Sequence, residues 1–152
     1  MYNRILLPLD GSLLAEQALP HTIAIAERFQ SELTLLQVLI PFPRVPTTTE
    51  ATILRAEKAT TVHVHEYLER VAASVQEHGI TVQVITLVGV PHFQILQYAE
   101  SNKVDLIVMC SRGQSGLSRW MIGSVSDHVM RGAEVPVLLV RAQIEETAKE
   151  SV

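Results

Sequence analysis

"VDLIVMC" (104–110), followed by "SRGQSGLSRWMIG" (111–123) and "SVSDHVMRG" (124–132), decides the fold. The first piece is a nearly unbroken apolar run of strand length. Strands buried on both faces of a parallel sheet look like that. The last piece reads as a helix that closes at a glycine. The loop between them carries Gly113, Gly116 and Gly123. In sheets wound from such strand–loop–helix units, ligands sit beyond the carboxyl ends of the strands.

Working outward, "RILLPL" (4–9) and "LTLLQVLI" (33–40) are similar apolar runs. "TVQVITLV" (81–88) sets Val82 and Val84 against Gln83, which predicts a more exposed position at the sheet edge. "VPVLLVR" (135–141) is the fifth strand candidate. Helical patterns alternate with these runs. Ser12 is expected to cap a helix reaching about Phe29 and kinked at Pro20. Val64, Leu68, Val71 and Val75 give one apolar face to a long helix over 50–78, ended by Gly79. Two more are expected at 92–101, after Pro91, and at 124–132. The irregular "PFPRVPTTTE" (41–50) reads as a mobile flap near the sheet edge. The expected fold is therefore α/β: an open, doubly wound, five-stranded parallel sheet with helices on both faces and right-handed crossovers.

With 152 residues, 47% of them apolar and 18% charged, the chain is expected to form one domain with a real core, over residues 1–142. The polar residues 143–152 read as a tail. The net charge of −4 argues against a nucleic-acid binder driven by counterion release. One cysteine, Cys110, leaves no internal disulfide. "MYNRILLPLDGS" breaks its short apolar run with Pro8 and Asp10, so neither a signal peptide nor a membrane span is expected, and a cytoplasmic location is the default.

The candidate site follows from the strand ends. Gly113 and Gly116 allow a ligand close to main-chain N–H groups. Gly123 and Ser124 open a helix whose first N–H groups favour an anion, and Ser124 adds a hydroxyl. Arg112 and Arg119 can add positive charge. Asp10, after the first strand, would repel phosphate but suits ribose hydroxyls or an amino group. Simpler roles stand beside these: glycines as turns and caps, Asp10 as a turn residue, the arginines as solvated charges. The loop lacks the pattern G-x-x-x-x-G-K-[ST], and no lysine occurs from 104 to 147. His63 and His65, two apart on a helix, make a poor metal pair. His128, four residues past Ser124, falls near the loop and reads first as structural. No serine is paired with an evident histidine–acid arrangement.

These strings resemble the universal stress protein family over nearly the whole chain, most specifically in "SRGQSGLSRWMIGSVSDHV" and "ILLPLDGSLLAEQALPHTIAIA". The ATP-binding members carry Gly, two residues, Gly, nine residues, Gly, then Ser or Thr. Here Gly113 is the second glycine, and residues 114–122 lead to Gly123 and Ser124. Cys110 occupies the first glycine position, a departure from the pattern. The resemblance implies a Rossmann-like sheet of order 3-2-1-4-5. It places Pro8, Leu9, Asp10 and Val38 around adenosine, and Gly113, Gly116, Gly123, Ser124 and Val125 along the phosphates. It also implies a homodimer through strand 135–141. The resulting expectation is a stress-response switch or sensor that binds ATP or a related adenine nucleotide, with Mg²⁺ as an accompanying ion and little or no hydrolysis. A nucleotide-independent dimeric interaction module is the alternative, motivated by Cys110. A nucleotide-processing enzyme is a third reading.

Overall fold

The computed structural model describes residues 1–111 and 122–143. Five parallel strands form one sheet in the order β3-β2-β1-β4-β5. They are β1 (Arg4–Pro8), β2 (Glu32–Leu39), β3 (Thr81–Val88), β4 (Leu106–Cys110) and β5 (Val137–Val140). The helices are α1 (Leu13–Glu16), α2 (Leu19–Phe29), α3 (Glu50–Gln76), α4 (Pro91–Ser101) and α5 (Ser124–Gly132). The expected architecture is the observed one, down to the strand order.

Alternation along the central strands divides the core into two layers. Ile5, Leu7, Leu9, Leu33, Leu35 and Val108 pack with Ala15, Ala18, Ala26, Leu68 and Val75 of α1, α2 and α3 and the turns beside them. Leu6, Leu36, Ile107 and Met109 face the opposite way, onto Ile95 and Ala99 of α4 and Val129 of α5. The central β4 is buried along its whole length, as its unbroken apolar run predicts. β3 lies at one edge and alternates between exposed and half-buried over its first four residues.

One expectation needs correction. The segment 12–29 is two helices rather than one kinked helix. α1 ends at Glu16, and α2 begins at Leu19 with Pro20 in its first turn. A proline ring clashes with the carbonyl four residues back and donates no hydrogen bond. In a first turn its missing N–H has no helical partner to lose. The break at Gln17 and Ala18 puts Pro20 where it is tolerated. Ser12 does cap α1, accepting a hydrogen bond from the Ala15 N–H at 3.1 Å. Gly79 turns the chain after α3 with a φ of +75°. The flap expectation for 41–50 holds as irregular backbone up to Thr49, where Arg44 pairs with Glu50 at 3.4 Å and Glu57 at 2.9 Å. Of the expected tail, only Gln143 lies among the described residues. Its backbone N–H donates to Gln17 Oε1 at 2.7 Å and its carbonyl accepts from Gln17 Nε2 at 2.8 Å.

Candidate functional site

The carboxyl ends of β1, β2 and β4 open into a cleft of about 590 Å³. The winding reverses between β1 and β4, so the two chains leaving them diverge to opposite faces of the sheet and leave a crevice. Pro8, Leu9, Asp10, Val38, Gly123, Ser124 and Val125 all line this cleft. Arg112, Gly113 and Gly116, with Arg119, lie outside the described residues.

On the β1 side, the turn Asp10-Gly11-Ser12 is held by the Asp10 carboxylate. Its Oδ1 accepts from the Ser12 N–H at 2.9 Å and from the Ser12 hydroxyl at 2.6 Å. Gly11 makes the turn with a φ of +84°, a conformation that L side chains rarely adopt. Asp10 is thus both a turn residue and a lining residue of the cleft. The carboxylate is pinned from one side and can accept further donors from the other.

On the β4 side, the chain leaves Cys110 and returns at Gly123, whose N–H donates to the Ser111 carbonyl at 2.7 Å. Gly123 is the N-cap of α5, with φ −56° and no side-chain cap. The first helical bond is Asp127 N–H to Gly123 C=O at 2.9 Å. The N–H groups of Ser124, Val125 and Ser126 therefore precede the helical ladder, and the helix dipole is positive there. The Ser126 hydroxyl is buried and donates to the Cys110 carbonyl at 2.8 Å, which ties the start of α5 to the end of β4. This bond fixes the helix terminus relative to the strand ends.

Cys110 is buried as the last residue of β4. The only described non-glycine residues with positive φ are Gln30 and Lys103. The backbone at Cys110 thus asks for no glycine, and cysteine carries no conformational penalty there. Beside the mouth, His128 Nδ1 donates to the Ser124 carbonyl at 2.6 Å. Its ring stacks on His92 with centroids 4.3 Å apart and planes inclined by 21°. This pair was not foreseen, because the two histidines are 36 positions apart in sequence (128 − 92) and meet only when α4 and α5 pack.

Sequence reasoning also missed Gln37, Phe42, Thr60, Pro91, Ile95 and Met109, which are among the other residues lining the cleft. A signal existed for Gln37, the one strongly polar residue within "LTLLQVLI". None existed for Thr60, which reaches the cleft from the middle of α3. Among the described residues, no three His, Cys, Asp or Glu side chains gather as a metal site. No described helix is long and apolar enough to cross a membrane.

A model of the universal stress protein family matches residues 1–141. The chain is 34% identical to universal stress protein MJ0531 of Methanocaldococcus jannaschii over 141 residues, 93% of this chain and 83% of that protein. Its fold superposes on the solved structure of MJ0577, from the same organism, with a TM-score of 0.84 at 32% identity, covering 95% of this chain and 99% of that one. A more distant likeness, of fold alone at 20% identity, is to a universal stress protein family member from Arabidopsis thaliana solved with AMP bound. Its TM-score is 0.66 and 97% of each chain is covered.

Proposed function

The chain belongs to the universal stress protein family, and from that premise we propose that its cleft binds an adenine nucleotide, ATP in particular. One observation carries the reading. A single cleft brings together a pinned carboxylate at Asp10, apolar walls from Pro8, Leu9 and Val38, and the open N-terminus of α5 at Gly123-Ser124-Val125. Apolar walls suit a flat base, a carboxylate suits ribose hydroxyls, and unpaired helical N–H groups suit phosphate. Arg112, Gly113 and Gly116 would close on the phosphates from the loop between β4 and α5. Mg²⁺ would travel with the nucleotide.

The A. thaliana relative, whose structure holds AMP, supports this choice of ligand class. Protein and nucleotide would act as a cytoplasmic stress switch or sensor, in a homodimer formed through β5. Hydrolysis would be slow or absent, since the stretch from 104 to 147 carries no lysine of the kind that phosphate loops use. Isothermal titration with ATP, with and without Mg²⁺, tests the reading directly. Saturable binding below millimolar concentration is expected. Absence of binding at millimolar nucleotide overturns it and leaves the nucleotide-independent interaction module. Mass spectrometry of a heat-released extract tests whether the purified protein carries the ligand already.

A further inference from the structure

The stretch "IPFPRVPTTT" (40–49) leaves β2 and turns back to α3. Its backbone is irregular and carries Pro41, Pro43 and Pro46. Apart from the cap of α3, its one backbone–backbone hydrogen bond among the described residues runs from the Thr48 N–H to the Val45 carbonyl, at 3.1 Å. Backbone bonds thus do little to fix it. Two of its side chains nevertheless line the cleft, Ile40 and Phe42. They are 73% and 39% exposed, so they form the rim of the cleft rather than its floor.

What holds the stretch down is Arg44. Its Nη1 donates to Glu57 Oε1 at 2.9 Å, and its Nη2 lies 3.4 Å from Glu50 Oε1. The two carboxylates are about two helical turns apart on α3, on one face. A forked guanidinium can meet both at once, where an ammonium is a single point of charge. Thr60 follows Glu57 by one turn, on the same side of α3, and lines the cleft. The ion pairs therefore anchor the rim one turn from the cleft wall. The three prolines fix φ at their positions, so less conformational freedom is lost when the stretch lies down. Exposed ion pairs add little to the stability of a whole domain. A stretch with almost no backbone bonds is a different case, because small free energies decide whether it lies down or lifts.

We propose that residues 40–49 are a strap along the cleft, that the ion pairs of Arg44 with Glu50 and Glu57 are the latch that keeps it closed, and that this latch slows the escape of a bound nucleotide. The proposal rests on the nucleotide reading above and adds to it the control of residence time. A ligand in the cleft covers Ile40 and Phe42. Unlatching leaves the floor and the helix N-terminus of the site intact and frees only the rim. The effect therefore falls on release rather than on encounter.

The test compares the full chain with Arg44→Gln, Glu57→Gln and the reversed pair Arg44→Glu with Glu57→Arg, in which the new cation again faces two carboxylates. Release of prebound radiolabelled ATP is followed after a chase with unlabelled ATP. Both single variants should release ATP about three- to fivefold faster than wild type, and the reversed pair should restore the slower rate. Order parameters of the Phe42, Val45 and Thr47 amides are measured by NMR without ligand. They should stand near about 0.8 in wild type and the reversed pair and fall below about 0.6 in the single variants. Equal release rates in all four proteins overturn the latch and leave the nucleotide site standing. Faster release in Arg44→Gln alone, with Glu57→Gln as slow as wild type or slower, means that Arg44 meets the charge of the nucleotide directly, and also overturns it. Wild type that binds no ATP overturns the nucleotide reading, and the amide order parameters then decide whether Arg44 holds the strap.

Discussion

Tyr67 shows how a single buried group sets both stability and its pH dependence. Its hydroxyl lies under α3 without a hydrogen-bond partner. Burial pushes the phenol above its ordinary range, the carboxylates of Glu16 and Asp10 push it further, and Arg70 opposes them. Each of the first three influences disfavours the phenolate. The folded chain therefore holds this proton more tightly than the unfolded chain does. The contribution of Tyr67 to stability is whole below about pH 10, the ordinary tyrosine value, and is lost as pH rises beyond it towards the folded-state value. Tyr67→Phe removes the unpaired oxygen while keeping the ring. At pH 7 the variant should be as stable as wild type or more stable by up to about 1 kcal/mol. Above pH 10 its stability should fall less steeply than that of wild type. Urea melts at pH 7 and pH 11 measure both effects, and a loss of more than about 1 kcal/mol at pH 7 would mean that the hydroxyl has a partner after all.

At the scale of elements, short helical starts do more than their length suggests. α1 is only four residues, yet Ser12 links its cap to the carboxylate of Asp10. Ser12→Ala removes the bond to the Ala15 N–H and the hydroxyl bond to Asp10, keeping only the backbone N–H bond. A loss of about 1 kcal/mol in a thermal or denaturant melt is expected. ATP affinity should fall several-fold by titration, because Asp10 is less firmly aimed. A variant less stable but unchanged in affinity would separate the cap from the site. Much of this was legible in the sequence. Ser12 before an apolar-periodic run announces a cap, Pro91 announces the start of α4, and Gly123-Ser124 announces the start of α5. The division of 12–29 into two helices was not, because a proline in a helical pattern specifies a disturbance without saying whether the chain bends or restarts. Thr60 and the His92–His128 stack were also illegible. They reach the cleft and each other through packing between elements distant in sequence, which no local spacing encodes.

At the scale of the molecule, the strand order places β5 at an open edge, and all four of its residues are half-buried. The Ile107 N–H bonds the Pro136 carbonyl, and the Ser111 N–H bonds the Val140 carbonyl. Alternate residues of a parallel strand face the same neighbour. Pro136, Leu138 and Val140 thus turn their peptide groups towards β4, and Val137 and Leu139 turn theirs outward. An apolar edge with open N–H and C=O groups is a template for pairing with another strand. That is the surface through which the proposed homodimer would form. Leu139→Pro tests it, because it deletes an outward N–H and leaves the ladder to β4 intact. Leu139 also packs against the layer around α4 and α5, so any substitution that shortens it lowers stability. Leu139→Ala is the control, losing similar packing while keeping the N–H. Light scattering after size exclusion should find wild type and Leu139→Ala dimeric and Leu139→Pro monomeric. The melting temperature should rise with protein concentration for the first two and not for the third. All three should bind ATP, since Leu139 does not line the cleft. A dimeric Leu139→Pro would place the interface elsewhere on the fold.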